Sequence, residues 1–163
     1  AILSTFPEDE YMTRAKEKFN GIRILKQPFD ETLISYLFSA TKSIKSIRTS
    51  MRIFTKKFGN EIKVDGETYY LFPQIEAIAD ASIEELLECR IGFRARNVKA
   101  AAESLLDEDF KNRIINNSNE ETVRAELTKL QGVGTKIADC TLTYSLGFDN
   151  VMPLDRWGIR ILT

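Results

Sequence analysis

Apolar residues recur at helical spacing through most of this 163-residue chain. Because residues three and four positions apart share one face of an α-helix, this spacing predicts amphipathic helices. Two such faces follow one another and are separated by a break at residues 41–43. They are formed by Leu33, Ile34, Leu37 and Phe38, and then by Ile44, Ile47, Met51, Phe54 and Phe58. The sequence therefore predicts an all-α domain.

Local signals mark several element ends. Asp30 is expected to be the N-cap of the second helix. Ser82 and Glu85 have the spacing of a capping box and predict another helix start. A strand pattern occurs at 62–64, just before Asp65-Gly66, where a small hairpin and an irregular loop both fit.

Two further helices are joined by closely spaced glycines. One amphipathic run ends, and a second one reaching Leu146 begins, around Gly132, Val133, Gly134 and Thr135. The glycines predict a tight turn with φ > 0 that another molecule can approach closely. The second helix also presents free N–H groups at the positive end of its dipole. We therefore expect these four residues to hold an anion such as a DNA phosphate.

Lys136 lies in the first turn of that second helix, and Asp155 comes just before another helix start. Here a lysine amine can attack a sugar C1′, and a carboxylate can act as an acid or base or stabilise a cationic sugar. Lys136, Cys140 and Tyr144 share one helix face. Because burying an ammonium is costly, partial desolvation favours the neutral amine that a Schiff base needs. Core packing, a lysine that only contacts phosphate and an ordinary N-cap at Asp155 are the plainer interpretations.

The motif Leu-x-Gly-Val-Gly-x-Lys-x-Ala (130–138), with a Pro-x-Asp that ends nineteen positions after the lysine, resembles the helix-hairpin-helix (HhH-GPD) DNA glycosylase superfamily. Gly-Phe-Arg-Ala-Arg at 92–96 and Lys-Phe-Asn-Gly-Ile-Arg-Ile-Leu at 18–25 narrow the similarity to the 8-oxoguanine DNA glycosylase/AP lyase branch. The resemblance extends from about Tyr11 to Thr163. It implies the helical HhH-GPD glycosylase core.

The resemblance implies a bifunctional DNA glycosylase/AP lyase of base excision repair that removes oxidised guanine from damaged double-stranded DNA. Lys136 would attack C1′ and displace the base, and the imine would allow strand cleavage by β-elimination. Asp155 would position the nucleophile and stabilise positive charge at the sugar. Two alternatives stay open: a glycosylase of the same superfamily for oxidised pyrimidines or alkylated bases, and a non-catalytic helix-hairpin-helix DNA-binding module.

A base pocket is also implied, formed by Tyr36, Cys140, Tyr144 and Pro153, with Tyr144 at a position where the family usually has methionine. Such a pocket is needed because C1′ is out of reach while the base stays in the stack. Asp139, by contrast, is expected to point away from Lys136 and to be structural.

An aromatic residue and two arginines open another helix at Phe93, Arg94 and Arg96. These residues can wedge into a base step and reach the unpaired base, and the family has tyrosine at Phe93. A core phenylalanine with solvated arginines is the plainer interpretation. In the 8-oxoguanine branch an asparagine that reads the orphaned cytosine falls at 41–43, which is Thr-Lys-Ser here. The opposite-base preference therefore stays open.

The superfamily's hairpin also binds a monovalent cation, K⁺ or Na⁺, through backbone carbonyls, which here are those of Thr128, Leu130 and Val133. No other cofactor is expected. The two cysteines, Cys89 and Cys140, lack metal-ligand spacing, which excludes a four-cysteine iron–sulfur cluster within this chain. The absence of histidine excludes histidine-based catalysis.

Composition and charge set the remaining limits. A net charge of −1 is unusual for a DNA-binding protein, so a local basic face and weak non-specific binding are expected. No apolar run approaches the roughly 20 residues of a membrane span. We expect an intracellular monomer, cytoplasmic in a prokaryote and nuclear in a eukaryote. One helical domain is assigned to 1–163, with the hairpin motif at about 120–147. Its last helix, from about 155, is truncated, so a fragment without flanking parts is expected.

Overall fold

The computed structural model describes residues 2–40 and 42–162, so that Ala1, Thr163 and Thr41 of the predicted break lie outside the described residues. The described helices are α1 (Glu10–Lys18), α2 (Phe29–Ser39), α3 (Ile44–Phe58), α4 (Ile75–Asp80), α5 (Ile83–Glu88), α6 (Arg94–Leu105), α7 (Glu108–Ile115), α8 (Glu120–Thr128), α9 (Thr135–Thr141) and α10 (Arg156–Leu162). A 3-10 turn covers Ile2–Thr5, and α9 continues into a π-helical turn over Leu142–Leu146. The all-α prediction is confirmed for the core.

A two-stranded antiparallel hairpin interrupts the helices. Its strands are β1 (Glu61–Val64) and β2 (Glu67–Tyr70), with Glu61 paired to Tyr70 at the open end. Asp65 and Gly66 between them have φ of 51° and 83°. Two adjacent residues with positive φ form the turn whose twist suits a two-residue hairpin. Of the two sequence interpretations, the small hairpin is therefore the observed one.

The core is centred on α2. This helix packs against α3, α6 and α9, and its buried residues are Phe29, Thr32, Leu33, Ile34, Leu37 and Phe38. Small buried residues of α6, Ala95, Ala101 and Ala102, let the two helix axes approach closely. Each fully buried leucine or phenylalanine contributes about 1.5–3 kcal/mol by leaving water. Among the described residues, no helix is both long enough and apolar enough to cross a membrane.

The helix caps agree with the local sequence signals in most places. Ser82 and Glu85 form the predicted capping box at the start of α5. Gly147 ends the π-helical turn with φ of 81°, which confirms it as the predicted stop. Asp30 is wrong as an N-cap, because α2 begins at Phe29 and its N-cap is Pro28, two residues before the predicted cap. Its carboxylate instead accepts the Lys111 ammonium at 3.2 Å.

An ion pair fixes the two helices of the glycine hairpin relative to each other. Arg124 of α8 donates to the Asp139 carboxylate of α9 at 2.6 Å. Both side chains are largely buried, so the pair is well shielded from water. The prediction that Asp139 is structural is confirmed by this contact. Helix geometry alone does not turn Asp139 away from Lys136, because residues three apart lie only about 60° apart around a helix; it is the pairing with Arg124 that holds its carboxylate against α8.

Candidate active site

Lys136 stands at the beginning of α9 beside an aromatic ring of the central helix. Its ammonium lies 5.3 Å from the centre of the Tyr36 ring. The side chain is half-buried because α9 packs across α2 at this point. A cation over an aromatic face is attracted by the ring quadrupole. Lys136 is therefore held in a partly enclosed position, with its amine at the edge of the core.

The predicted face of α9 forms one cluster with Tyr36. The Tyr36 and Tyr144 rings stack with centroids 6.0 Å apart and planes 19° apart. Cys140, one turn after Lys136, is only 3% exposed. The structure thus brings together four of the residues that the sequence assigned to the chemistry and the base pocket.

Cys140 and Tyr36 of this cluster are uncharged at neutral pH. Burial raises the pKa of Tyr36, with a further increase from the neighbouring Cys140. Burial also raises the pKa of Cys140, although the Lys136 ammonium and a hydrogen bond with Tyr36 act in the opposite direction. Since the thiolate is the reactive form of cysteine, Cys140 is a poor nucleophile here. The Lys136 amine is the nucleophile that the cluster offers.

Asp155 caps α10 and keeps its carboxylate ionised. Its Oδ1 accepts the N–H groups of Trp157 and Gly158, both at 2.9 Å. The hydrogen bond from Gly158 has the largest effect and lowers the pKa of Asp155, and the one from Trp157 lowers it further. The positive charge of Lys136 also lowers this pKa. Lys136 is therefore near enough to act electrostatically on Asp155. Among the described residues, no ion pair within 4.0 Å joins the two, so Lys136 and Asp155 do not form a direct salt bridge.

The segment before Asp155 is tied back to the second hairpin helix. The Thr143 hydroxyl donates to the Val151 carbonyl at 3.1 Å. Pro153 follows two residues later and is half-buried. At residue 158 a Cβ would lie 3.2 Å from the Leu154 side chain, so glycine leaves room at this turn. The position of Pro153 in a base pocket stays a prediction.

The glycine hairpin has one left-handed residue, not two. Gly132 has φ of 83°, whereas Gly134 has an extended φ of −94°, so the prediction of φ > 0 is wrong for Gly134. Gly134 is the N-cap of α9, and a Cβ there would meet open space. Val133 is buried, and its N–H donates to the Leu130 carbonyl at 3.1 Å. This N–H is already hydrogen-bonded within the turn, so it is not available for the predicted phosphate contact.

The start of α9 keeps donors available. Ile137 and Ala138 both donate to the Gly134 carbonyl at 3.0 Å and close the first turn. Among the described residues, the N–H groups of Thr135 and Lys136 have no backbone acceptor. Thr135 is exposed, so an anion can reach these donors at the positive end of the helix dipole.

The start of α6 presents an aromatic side chain to solvent. Phe93 is 68% exposed, so the interpretation of Phe93 as a core residue is wrong. Arg96 is exposed as well. Arg94 differs, because it is only 5% exposed. Its guanidinium lies 4.5 Å from the centre of the Phe93 ring and donates to the Ile91 carbonyl at 3.1 Å. This burial contradicts a direct DNA contact by Arg94, which instead supports the Phe93 ring.

Two residues that sequence reasoning overlooked hold this region together. A Cβ at Gly132 would lie 2.2 Å from Asn97 Nδ2, so α6 rests directly on the hairpin. Lys42, inside the predicted break, donates to the Ser50 hydroxyl and to the Arg90 carbonyl, each at 2.6 Å. Arg90 has a positive φ of 59° and precedes Phe93 by three residues. Neither contact has a local sequence signal, because both depend on how distant helices pack.

No protein-family model matches the chain. The chain is 35% identical over 153 residues to the N-glycosylase/DNA lyase of Saccharomyces cerevisiae, covering 86% of this chain and 41% of the yeast protein. The structure of MBOgg1 in complex with a low-affinity DNA ligand superimposes with a TM-score of 0.92 and 32% identity, covering 99% of this chain and 56% of that one. The chain thus spans about half the length of the relatives it matches.

The fold, the glycine hairpin and the geometry of the site therefore agree with these sequence and structure matches. The chain belongs to the helix-hairpin-helix DNA glycosylase superfamily. A third comparison narrows this placement: the 8-oxoguanine glycosylase/lyase of Clostridium acetobutylicum in its apo form superimposes with a TM-score of 0.89 and 29% identity, covering 98% of this chain and 55% of that one. Within the superfamily, the chain belongs to the 8-oxoguanine glycosylase/lyase branch.

Proposed function

We propose that this chain provides the catalytic core of a bifunctional DNA glycosylase/AP lyase of base excision repair that removes 8-oxoguanine from duplex DNA. The observation that carries the proposal is the position of the Lys136 amine. It lies against Tyr36, at the start of a helix with available N–H donors, and acts electrostatically on the Asp155 carboxylate. These groups supply a nucleophile, an anion site and a negative charge within one region.

The chemistry follows from these three features. The neutral amine of Lys136 attacks C1′ of the damaged nucleotide, and the glycosidic bond breaks with its electrons leaving on the base, which then takes up a proton. Asp155 stabilises the positive charge that develops at the sugar. Loss of an amine proton with opening of the sugar ring gives the imine. Removal of a C2′ proton then expels the 3′ phosphate, which is β-elimination.

The base pocket is proposed at the Tyr36 and Tyr144 rings. Enzymes that act at C1′ extrude the target nucleotide and stack its base between aromatic or apolar side chains. The stacked tyrosines offer such a surface next to the amine. Cys140 contributes a buried, neutral thiol beside them. The relatives named 8-oxoguanine glycosylase/lyase support oxidised guanine as the substrate.

DNA is proposed to lie across the starts of α6 and α9. The N–H groups at Thr135 and Lys136 take a phosphate near the lesion, and exposed Phe93 fills the base step that the flipped nucleotide leaves. Arg96 lies beside it on the same exposed turn. Near Asp155, the guanidiniums of Arg156 and Arg160 lie over the exposed Trp157 ring and add positive charge to this side.

A monovalent cation is proposed to stabilise the glycine hairpin through the carbonyls of Thr128, Leu130 and Val133. Since α8 ends at Thr128, carbonyls here lack the donors of a continuing helix. The Leu130 carbonyl accepts the Val133 N–H and keeps a second lone pair. The ion would be structural. A higher melting temperature in KCl than in tetramethylammonium chloride at equal ionic strength supports the site, and equal melting temperatures count against it.

A panel of lesion duplexes tests the substrate. Release of 8-oxoguanine under single-turnover conditions, at a higher rate than release of an oxidised pyrimidine or of 3-methyladenine, supports the proposal. Faster release of either of the other bases assigns the chain to the alternative glycosylase class. Binding of all duplexes without release of any base leaves the non-catalytic DNA-binding module.

A further inference from the structure

The helix α3 is strongly basic within a chain that is slightly acidic overall. Its residues Ile44–Phe58 include five lysines and arginines and no acid, whereas the whole chain has a net charge of −1. The five are Lys45, Arg48, Arg52, Lys56 and Lys57. None of them belongs to the site around Lys136. The positive charge therefore needs an explanation of its own.

Four of these side chains form one exposed stripe. Lys45, Arg48, Arg52 and Lys56 are spaced by three or four residues, which places them within roughly a third of the helix circumference. All four are exposed, while Phe54 on the opposite side is fully buried. In the described part of the chain, none of the four makes an ion pair within 4.0 Å. Lys57, off the stripe, does so with Glu88.

Two clefts lie along this stripe, and the second is lined by a residue close in sequence to Phe93, the proposed wedge. A cleft of about 830 Å³ lies between α3 and the hairpin and is lined by Arg52, Lys56 and Tyr69, among others. A second of about 250 Å³ is lined by Lys45 and Arg90, among others. Thr49 lines both clefts, so they are neighbours along the helix. The surface thus extends to Arg90, three residues before the exposed Phe93.

Fold stability does not account for the stripe. Like charges at i and i+4 destabilise a helix by about 0.2–0.5 kcal/mol per pair. An anionic polymer bound along the face would relieve this repulsion. From Lys45 to Lys56 the helix advances about 16 Å, which is close to the rise of about five base pairs of DNA. The basic face that a DNA-binding protein of net negative charge requires is therefore present on α3.

We propose that the exposed face of α3 is a second DNA-contacting surface, which binds backbone phosphates of the duplex beyond the Phe93 wedge. This inference rests on the proposed function for the identity of its partner. Lys and Arg contacts to phosphates position a duplex without reading its sequence. The stripe thus holds undamaged flanking DNA while the Lys136 site acts on the lesion.

Salt-dependent binding tests this surface. Binding of an undamaged fluorescent duplex is measured by anisotropy across a range of KCl concentrations for three forms of the chain. These are the wild type, Arg48→Gln/Arg52→Gln on the stripe, and Arg14→Gln/Lys18→Gln on the exposed face of α1. Both double variants remove two positive charges. Each lost phosphate contact lowers the slope of log K against log salt by about 0.9. The magnitude of this slope is expected to fall by about 1.8 in the stripe variant and to stay unchanged in the α1 variant.

The opposite outcomes are distinguishable. Equal slopes for both double variants overturn the surface proposal, and an acidic surface of another protein then becomes the alternative occupant of the stripe. A wild-type chain without salt-dependent DNA binding overturns it as well. Failure of the proposed function is detected separately. Salt-dependent binding with no base release and no covalent adduct would reject the enzyme proposal. The comparison of salt slopes between the two double variants would still test the α3 surface.

Discussion

Gly132 and the Asn97 side chain lie so close that a Cβ at residue 132 would be 2.2 Å from Asn97 Nδ2. This contact joins the glycine hairpin to α6, the helix that begins just after the exposed Phe93. The turn that we propose to face a phosphate and the proposed wedge are thus parts of one packed unit. Their spacing does not depend on loops alone.

Gly132→Ala is expected to destabilise the chain by more than about 2 kcal/mol. The substitution combines a clash with Asn97 and a left-handed φ of 83°, and such strain costs of order 1–3 kcal/mol by itself. Gly134→Ala is the matched control, because its φ is extended and its Cβ would meet open space. Urea unfolding measures both. Equal losses of stability would show that the 132–97 contact has no special role.

Asp155→Asn is expected to separate capping from chemistry. Asparagine caps helices about as well as aspartate, so the free energy of unfolding should change by less than about 1 kcal/mol. Base release should slow by at least about tenfold, because the negative charge facing the sugar is lost. Single-turnover release and urea unfolding give the two values. Unchanged release from a stable Asp155→Asn protein would assign the carboxylate to capping alone.

Acid should weaken the start of α10. Because hydrogen bonds and nearby positive charge lower the pKa of Asp155, its contribution to stability is complete above the usual carboxyl range, near pH 4. The contribution is lost as pH falls below that range. Comparing the pH dependence of unfolding in wild type and Asp155→Asn isolates it. A difference between the two proteins that stays constant from pH 6 to pH 2 would contradict this expectation.

Cys140 should resist alkylation at neutral pH. Burial raises its pKa, and the thiolate needed for reaction is scarce and inaccessible. Peptide-resolved iodoacetamide labelling should show modification of Cys140 far slower than that of an unstructured thiol, and labelling should rise after unfolding in urea. Cys89 is an internal reference, since burial raises its pKa to about 11. Rapid labelling of Cys140 in the native chain would show that the pocket is open at its base.

Lys42→Ala is expected to cost about 1–3 kcal/mol. The lysine ammonium donates to the buried Ser50 hydroxyl and to the Arg90 carbonyl, and its loss leaves only the 3.2 Å hydrogen bond from Ser50 to that carbonyl. Hydrogen bonds to a charged group are worth more than neutral ones, so losing two of them is costly. Lys45→Ala, three residues along and exposed, is the control and should change stability by less than about 0.5 kcal/mol. Thermal unfolding compares the two variants. A stable Lys42→Ala protein would mean that the Arg90 turn holds without this lysine.

Local sequence signals predicted much of this architecture. Helical periodicity gave the face shared by Lys136, Cys140 and Tyr144, and a left-handed glycine ended its helix at Gly147. Such features depend on neighbours within one or two helical turns, so they can be predicted from a single amino-acid sequence. Asp155 was recognised both as a cap and as a candidate acid, and the cap is now observed.

Contacts between distant helices could not be predicted in this way. Arg94 looked like a surface residue beside an exposed aromatic, yet its guanidinium is buried beneath Phe93. Lys42 turns inward because Ser50 and the Arg90 carbonyl face it from other parts of the chain. Packing decides these orientations, and the sequence around each residue carries no periodic signal for them. The family resemblance supplied Tyr36, which the local pattern alone marks only as part of a helix.

Borohydride trapping on an 8-oxoguanine duplex tests the central claim most directly. The matched variants are Lys136→Gln and Lys129→Gln, which remove lysines at the two ends of the same hairpin. Lys129 is exposed and pairs with Glu126. The account predicts a covalent protein–DNA adduct with the wild type and with Lys129→Gln, and none with Lys136→Gln. A wild-type chain that binds the lesion duplex without forming an adduct, or a Lys136→Gln variant that still forms one, would contradict it.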